Sequence, residues 1–555
     1  MERTISDTVT MLRLTDTPLR LWLLLIMSNS IKLIFFVGVA LVCTLQTAWA
    51  DRPNIMIILA DDLGFSDLGC YGGEIETPNL DRLAANGLRF TNFYNTGRCW
   101  PTRSSILTGY YAQQVRRDRL PGVKRGGMSG KRPPWGALAP VRMQAAGYRT
   151  YHIGKWHIDG MPVQQGFDHS YFLGDQARFF SPKRRFLNDV ALPAVERDSG
   201  YYATVDLADR TIESLKAHSV NHADQPFFHY LALTAPHFPL HALPEDIAKY
   251  QDRYSQGWDV VRETRWQGLQ KAGILSNEQC RLSPMEMETG APYQRPKDIQ
   301  AYGAGEMALP QPWDSLSQEQ KQFQATKMAI HAAMVDRIDR ELGRVFQQLK
   351  DMGEFDNTLI LFLSDNGCSS ELMIRDDGHD PQAAPGSAAT HLCLGPGWAS
   401  ASNTPFRKHK TWVHEGGIAT PFIAHWPAGI KDTGEVRHQP AHLVDVVPTM
   451  LQLAQTELKP DTGGPKFPGE SLVNAMVENQ EIERDFVWWS HEKNNAIRMG
   501  RWKAVKTSST DWELYDLSVD RSETRNLAGE NPQQLSTMVN RWNETRDQFA
   551  EDIKE

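Results

Sequence analysis

Two apolar runs some 300 residues apart share one design. NIMIILADDLG (54–64) and TLILFLSDNG (358–367) are unbroken hydrophobic stretches that end in a pair of Asp/Asn residues and a Gly. A run without polar alternation predicts a strand buried on both faces, as in a parallel sheet. RTYHIGKWH (149–157) and PFFHYLALTAPH (226–237) predict two further strands. Between them stand helical patterns: TPNLDRLAANG (77–87), with Pro early and Gly at its end, and MAIHAAMVDRIDRELGRVFQQLKDMG (328–353). Strands alternating with helices predict an α/β domain on a large, mainly parallel sheet sandwiched by helices. Ligands in such sheets bind beyond the carboxyl ends of the strands, where both acidic pairs fall.

The pattern changes elsewhere. Residues 251–320 are rich in Gln, Pro and charge and predict a long insertion with local helices; 368–402 reads as a Gly/Ala/Ser/Pro-rich loop. Near the C-terminus FVWWSH, NAIRMG, RWKAVK and WELYDL are short runs separated by turns, followed by a helical stretch over 532–549. They predict a small antiparallel sheet carrying a helix. At the other end, residues 27–50 hold a Lys, an apolar run from Leu33 to Leu45 and Ala48-Trp49-Ala50. That is the layout of a secretory signal peptide, with Met27 as its start and cleavage after Ala50. The run is short for a bilayer span, so no stable membrane insertion is expected, although a retained N-terminal anchor is the alternative; Val42 makes Cys43 a poor lipoprotein acceptor. The expected organisation is therefore a signal region over 1–50, a catalytic α/β domain over 51–480 and a C-terminal α+β subdomain over 481–555, with the product exported to the periplasm or medium.

Composition narrows the field. A net charge of −8 leaves no basic footprint, which disfavours a nucleic-acid partner. Beyond the signal region stand Cys70, Cys99, Cys280, Cys368 and Cys393, an odd number without a C-x-x-C pair. Thioredoxin-like redox chemistry and a zinc-thiolate cluster are therefore unlike this chain, and one thiol is left free or consumed. If Cys99 is that thiol, the other four allow up to two disulfides.

Asp61-Asp62 and Asp365-Asn366 each close a predicted buried strand. Adjacent carboxylates repel unless positive charge lies between them, and an all-oxygen donor set suits Ca²⁺ or Mg²⁺. Loop solvation would explain either pair alone; two matched pairs favour a metal. In His152-x-x-Lys155-x-His157, an extended chain puts Lys155 and His157 on one side, as an anion-holding and proton-moving pair. His237 lies between prolines, and Lys410 reads as an ordinary exposed lysine. Cys99 precedes Pro101, which predicts a helix with Cys99 near its anion-attracting N-terminus and Arg103 one turn on.

With these residues in place, the chain resembles the sulfatase family of the alkaline phosphatase superfamily. CWPTRSSILTG (99–109) matches the signature C-x-P-x-R followed by T-G, and ADDLG, HIGKWH, TAPHFPLH, SDNG and EGGIATP follow in the family's order. Thr102 stands where many relatives have Ser. The resemblance implies an alkaline phosphatase-like fold and hydrolysis of sulfate monoesters of aryl or sugar alcohols. It implies that a separate maturing enzyme oxidises Cys99 to Cα-formylglycine, whose hydrate attacks sulfur with one hydroxyl and releases sulfate through the other. It assigns one Ca²⁺ to Asp61, Asp62, Asp365 and Asn366, with residue 99 adjoining. Arg103 would stabilise the hydrate, Lys155 and Lys410 hold the sulfate, His237 with Lys410 protonate the leaving oxygen, and His157 take the second hydroxyl's proton; Asp365 is a candidate acceptor for the first. A phosphonate or phosphodiester hydrolase and a catalytically silent glycan-binding protein are the alternatives.

Overall fold

The computed structural model describes residues 52–122, 130–287, 293–375, 377–457 and 463–553. The expected signal region, 1–50, lies outside them. In chain order the strands are β1 (Asn54–Ala60), β2 (Leu88–Phe90), β3 (Phe93–Tyr94), β4 (Arg149–Gly154), β5 (His169–Leu173), β6 (Arg185–Leu187), β7 (Val190–Leu192), β8 (Phe227–Ala232), β9 (Thr358–Ser364), β10 (Phe422–His425), β11 (Val436–Arg437) and β12 (Ala441–His442). The C-terminal part adds β13 (Val487–His491), β14 (Asn494–Met499), β15 (Trp502–Lys506) and β16 (Glu513–Asp516).

All four strands expected from the apolar runs are present. The main sheet has ten strands in the order β11-β2-β10-β9-β1-β8-β4-β5-β6-β7. Its centre is parallel: β1 pairs in parallel with both β8 and β9, and β4 with both β8 and β5. Antiparallel pairing is confined to β10 and to the edge strands β6 and β7. Every residue of β1, β8 and β9 is buried, which is why their sequences show no polar alternation. The period of two survives in which core each side chain joins. Met56, Ile58 and Ala60 pack with Leu207, Met334 and Ile338 of helices Ala203–Asn221 and Gln318–Asp351 on one face. Ile55, Ile57 and Leu59 pack with Ile106, Met143 and Val447 of helices Cys99–Thr108, Ala139–Ala145 and Val446–Leu453 on the other.

The long helix starts ten residues before the expected 328, at Gln318, because Ser317 and Gln320 form a capping box. β13 to β16 form the small antiparallel sheet, and helix Pro532–Asp552 covers it through Trp488, Met538, Trp542 and Phe549. Trp489, on the opposite face of β13, joins the main core and donates its indole N–H to the Asn95 carbonyl at 2.8 Å. The disulfides allowed by the cysteine count do not form among the described residues: Cys70, Cys99, Cys280, Cys368 and Cys393 are all free. No helix among the described residues is long and apolar enough to cross a membrane.

Candidate active site

The central strands end at one edge, and each delivers its candidate residues there. Asp61 and Asp62 follow β1, Asp365 and Asn366 follow β9, Lys155 and His157 follow β4, and His237 stands a turn beyond β8. Backbone hydrogen bonds tie these ends together: Asp61 N–H to Ala235 O at 3.1 Å, Asp365 N–H to Ala60 O at 3.1 Å and Lys155 N–H to Ala232 O at 2.8 Å. The extended geometry expected through His157 is not observed. β4 stops at Gly154 with φ of 113°, and His157 is left-handed with φ of 61°. Only glycine serves at 154, since a Cβ would lie 1.9 Å from the Ala232 carbonyl oxygen of the neighbouring strand. The break sends Lys155 toward the carboxylates.

Those carboxylates meet three cations. Lys155 Nζ donates to Asp61 Oδ2 at 2.6 Å, and Lys410 Nζ lies 2.7 and 2.8 Å from the two oxygens of Asp62. Arg103 donates from Nε and Nη2 to Asp365 Oδ2 at 3.1 and 2.8 Å, and its Nη2 is 3.8 Å from Asp61 Oδ1. Asn366 Nδ2 donates to Asp62 Oδ1 at 2.6 Å. All these side chains are buried, Lys410 included, contrary to its reading as an exposed lysine. The loop carrying it is anchored by Lys410 N–H to Cys368 O at 3.2 Å and Thr411 N–H to Gly97 O at 2.7 Å. The helix expected after Cys99 runs Cys99–Thr108, with Arg98 as its N-cap. The Cys99 thiol is buried within electrostatic reach of Arg103, Asp365 and Lys410.

Burial and these charges set the protonation states. Burial works to raise Asp61, but Lys155, His237, Arg103 and Lys410 override it and hold the group below the ordinary carboxylate range. Burial and the neighbouring Asp61 charge push Asp365 up. Burial, with Lys155 and Arg103, drives His157 well below its usual value, so its imidazole is neutral. Burial, reinforced by Lys410 and opposed by Asp62, takes His237 down to about 4. Its Nδ1 faces the Phe238 carbonyl oxygen at 2.5 Å, which makes Nδ1 the donor and turns Nε2 toward Asp62, 3.6 Å away. For Lys410, burial is outweighed by Asp62 and Glu371, and the ammonium form is held.

The donor set fits a hard cation. Asp61 Oδ1 and Asn366 Oδ1 are buried without a hydrogen-bond partner, and Asp61, Asp62 and His237 place ligand atoms within 4.8 Å of one another. Unpaired buried oxygens beside paired carboxylates are the chemistry of a Ca²⁺ or Mg²⁺ site.

Two neighbours, Glu371 and His491, lie outside the motifs. Glu371, in the 368–402 loop, is 3.0 Å from Arg98 and 3.3 Å from Lys410. Trp100 packs 5.9 Å from the His157 ring and 5.4 Å from that of His491, the last residue of β13, so the C-terminal sheet borders the site. Glu371 carries no local pattern of its own.

A family model described as Sulfatase matches residues 53–456, and one described as N-sulphoglucosamine sulphohydrolase, C-terminal, matches 406–548. The chain is 32% identical to an uncharacterized sulfatase of Schizosaccharomyces pombe over 90% of this chain and 94% of that one. It is 30% identical to an arylsulfatase of Klebsiella aerogenes over 74% of this chain and 88% of that one. Among solved structures, BT4656 in complex with its substrate D-glucosamine-2-N,6-O-disulfate superimposes with a TM-score of 0.60 at 22% identity, over 91% of this chain and 100% of that one. This last likeness shows the fold.

Proposed function

The chain belongs to the sulfatase family and is a sulfatase hydrolase, and on that premise we propose that it cleaves sulfate monoesters of aryl or sugar alcohols with residue 99, matured from Cys99 to Cα-formylglycine, as nucleophile. The observation that carries the reading is the convergence of Arg103, Lys155 and Lys410 on Asp365, Asp61 and Asp62 beside residue 99. Asp61, Asp62, Asp365 and Asn366 would hold one Ca²⁺, which when bound supplies positive charge to a sulfate oxygen. A hydrated aldehyde at residue 99 offers one hydroxyl for attack on sulfur and a second for release of sulfate, splitting one hard displacement into two easier steps.

Arg103, fixed by two bonds to Asp365, orients the hydroxyl of residue 99. Lys155 and Lys410 present ammonium groups to the sulfate oxygens. Neutral His157 is suited to take the proton of the second hydroxyl. A proton for the leaving oxygen needs a charged donor. His237 together with Lys410, whose ammonium form Asp62 and Glu371 hold, supplies it. A sugar alcohol as leaving group is supported by the disulfated glucosamine bound to BT4656. The reading includes export with residues 1–50 removed, a catalytic unit over 51–480 with a subdomain over 481–555, and a separate maturing enzyme as partner.

The test compares hydrolysis of p-nitrophenyl sulfate and phenyl phosphonate by the purified protein, with a mass spectrum of the residue-99 peptide. Faster sulfate cleavage, a formylglycine peptide and loss of turnover in Cys99→Ala are expected. Much faster phosphonate cleavage, or an unmodified thiol in active protein, refutes the reading.

A further inference from the structure

A cavity of about 550 Å³ opens away from the strand ends just described. It lies between the β2–β11 edge of the main sheet and the C-terminal sheet, and none of the proposed catalytic or metal-holding residues lines it. Its volume falls in the range of small-molecule sites, about 300–1,000 Å³. Arg498, Arg501, Arg521 and His438 border it, against the single carboxylate of Glu481 among its lining residues. Asn92 adds an amide.

The charge beneath this cavity is unbalanced as well. Lys503 bridges Glu415 and Glu523 at 2.8 Å each, and Arg521 Nε reaches Glu415 at 3.1 Å. Arg498 bonds only neutral oxygens, Tyr94 Oη at 2.6 Å, Asn92 Oδ1 at 3.2 Å and the Gly500 carbonyl at 3.0 Å. Three buried cations therefore face two buried carboxylates. Arg521 is 3% exposed, and neither of its terminal nitrogens, Nη1 or Nη2, has a hydrogen-bond partner. The guanidinium stacks on Phe406, its centre 4.7 Å from the ring, but two N–H donors left without an acceptor remain costly in a buried group. At the rim Arg501, its side chain 60% exposed, is 3.2 Å from Asp516, and exposed His438 is held by Thr91 Oγ1 at 3.0 Å.

We propose that this cavity is a second anion site, distinct from the catalytic one, that takes a sulfate-type oxyanion, either free or as the ester group of a saccharide. Guanidinium forks match such oxyanions through paired N–H donors, and the excess buried cation supplies the counter-charge. The inference stands independently of the residue-99 reading, since it uses none of those residues.

The test is equilibrium binding to the full-length chain in a Cys99→Ala background, which prevents turnover, titrated separately with inorganic sulfate and with glucosamine 6-sulfate. One binding equivalent is expected to disappear on adding His438→Ala with Arg501→Ala, both at exposed positions that folding tolerates. Otherwise wild-type protein carrying those two changes keeps kcat/KM on p-nitrophenyl sulfate. Arg501→Glu should weaken the same equivalent at least tenfold. Loss of the sulfate equivalent identifies the free anion as ligand; loss confined to the sugar ester identifies the saccharide. Isotherms that superimpose with and without the substitutions for both probes, or a smaller effect of Arg501→Glu, overturn the proposal.

Discussion

Acidification should unfold this protein through histidines that its sheet keeps neutral. His152 in β4 and His229 in β8 are fully buried. His152 lies between Trp156 and Phe167 and shares a hydrogen bond with Ser170 Oγ at 2.9 Å; His229 stacks on Tyr151 and shares one with Ser214 Oγ at 3.1 Å. Burial takes both down to about 3. The unfolded value is about 6.5. Between those limits the unfolded chain takes up a proton that the folded chain refuses, so stability is lost as pH falls. The slope is about 1.4 kcal/mol per pH unit for each histidine. From pH 6.5 to 5 the loss is about 1.6 kcal/mol each, an appreciable part of a typical total of about 5–15 kcal/mol. Asp339 acts in the opposite sense, because burial raises it to about 6 and its folded form holds a proton that the unfolded chain releases above about 4. The difference between wild type and His229→Gln is therefore the sharper readout. Urea unfolding followed by tryptophan fluorescence at pH 7, 6 and 5 should show the variant's stability falling more gently, by about 1.4 kcal/mol per unit below pH 6.5. Equal slopes would refute the reasoning.

Three other outcomes are expected. Glu371→Gln leaves Arg98 without its carboxylate and Lys410 with Asp62 alone; breaking a buried pair this way should cost about 3 kcal/mol in urea unfolding. Lys410→Ala, if Lys410 supplies the leaving-group proton, should lower kcat by about 10² or more for alkyl sulfates and far less for p-nitrophenyl sulfate, whose phenolate leaves without help. Equal losses for the two substrates would remove Lys410 from that role. Ca²⁺ at about 100 times its Kd should stabilise the protein by about 2.7 kcal/mol in a thermal shift, and Asp62→Asn should abolish most of that gain.

What the chain discloses locally, it discloses well. β1 and β9 are legible because burial on both faces leaves a nearly continuous apolar run, and the helix after Cys99 because Pro101 suits its first turn. The first turns of the long helix, Gln318 to Thr326, are largely polar, so apolar periodicity marks only the part from 328 and the capping box alone marks the start. The left-handed turn at His157 was missed because it is imposed by the neighbouring strand, whose Ala232 carbonyl leaves room for glycine alone at 154.

Pairing is the property that no local pattern carries. Each cation of the site is matched to a carboxylate from a distant segment: Lys155 to Asp61 across 94 residues, Arg103 to Asp365 across 262 and Lys410 to Asp62 across 348. The motifs present the members of these pairs separately, as an acidic doublet here and a lysine there. Lys410 therefore reads as exposed, and no local pattern marks Glu371. Their roles exist only because β1 and β9 end side by side and the loops after residues 367 and 404 fold over that edge. The cost of burying so many charges is offset by matching them one to one, Arg98 with Glu371 completing the set. A change of charge at any one position should therefore be felt at its distant partner before it is felt at its chain neighbours.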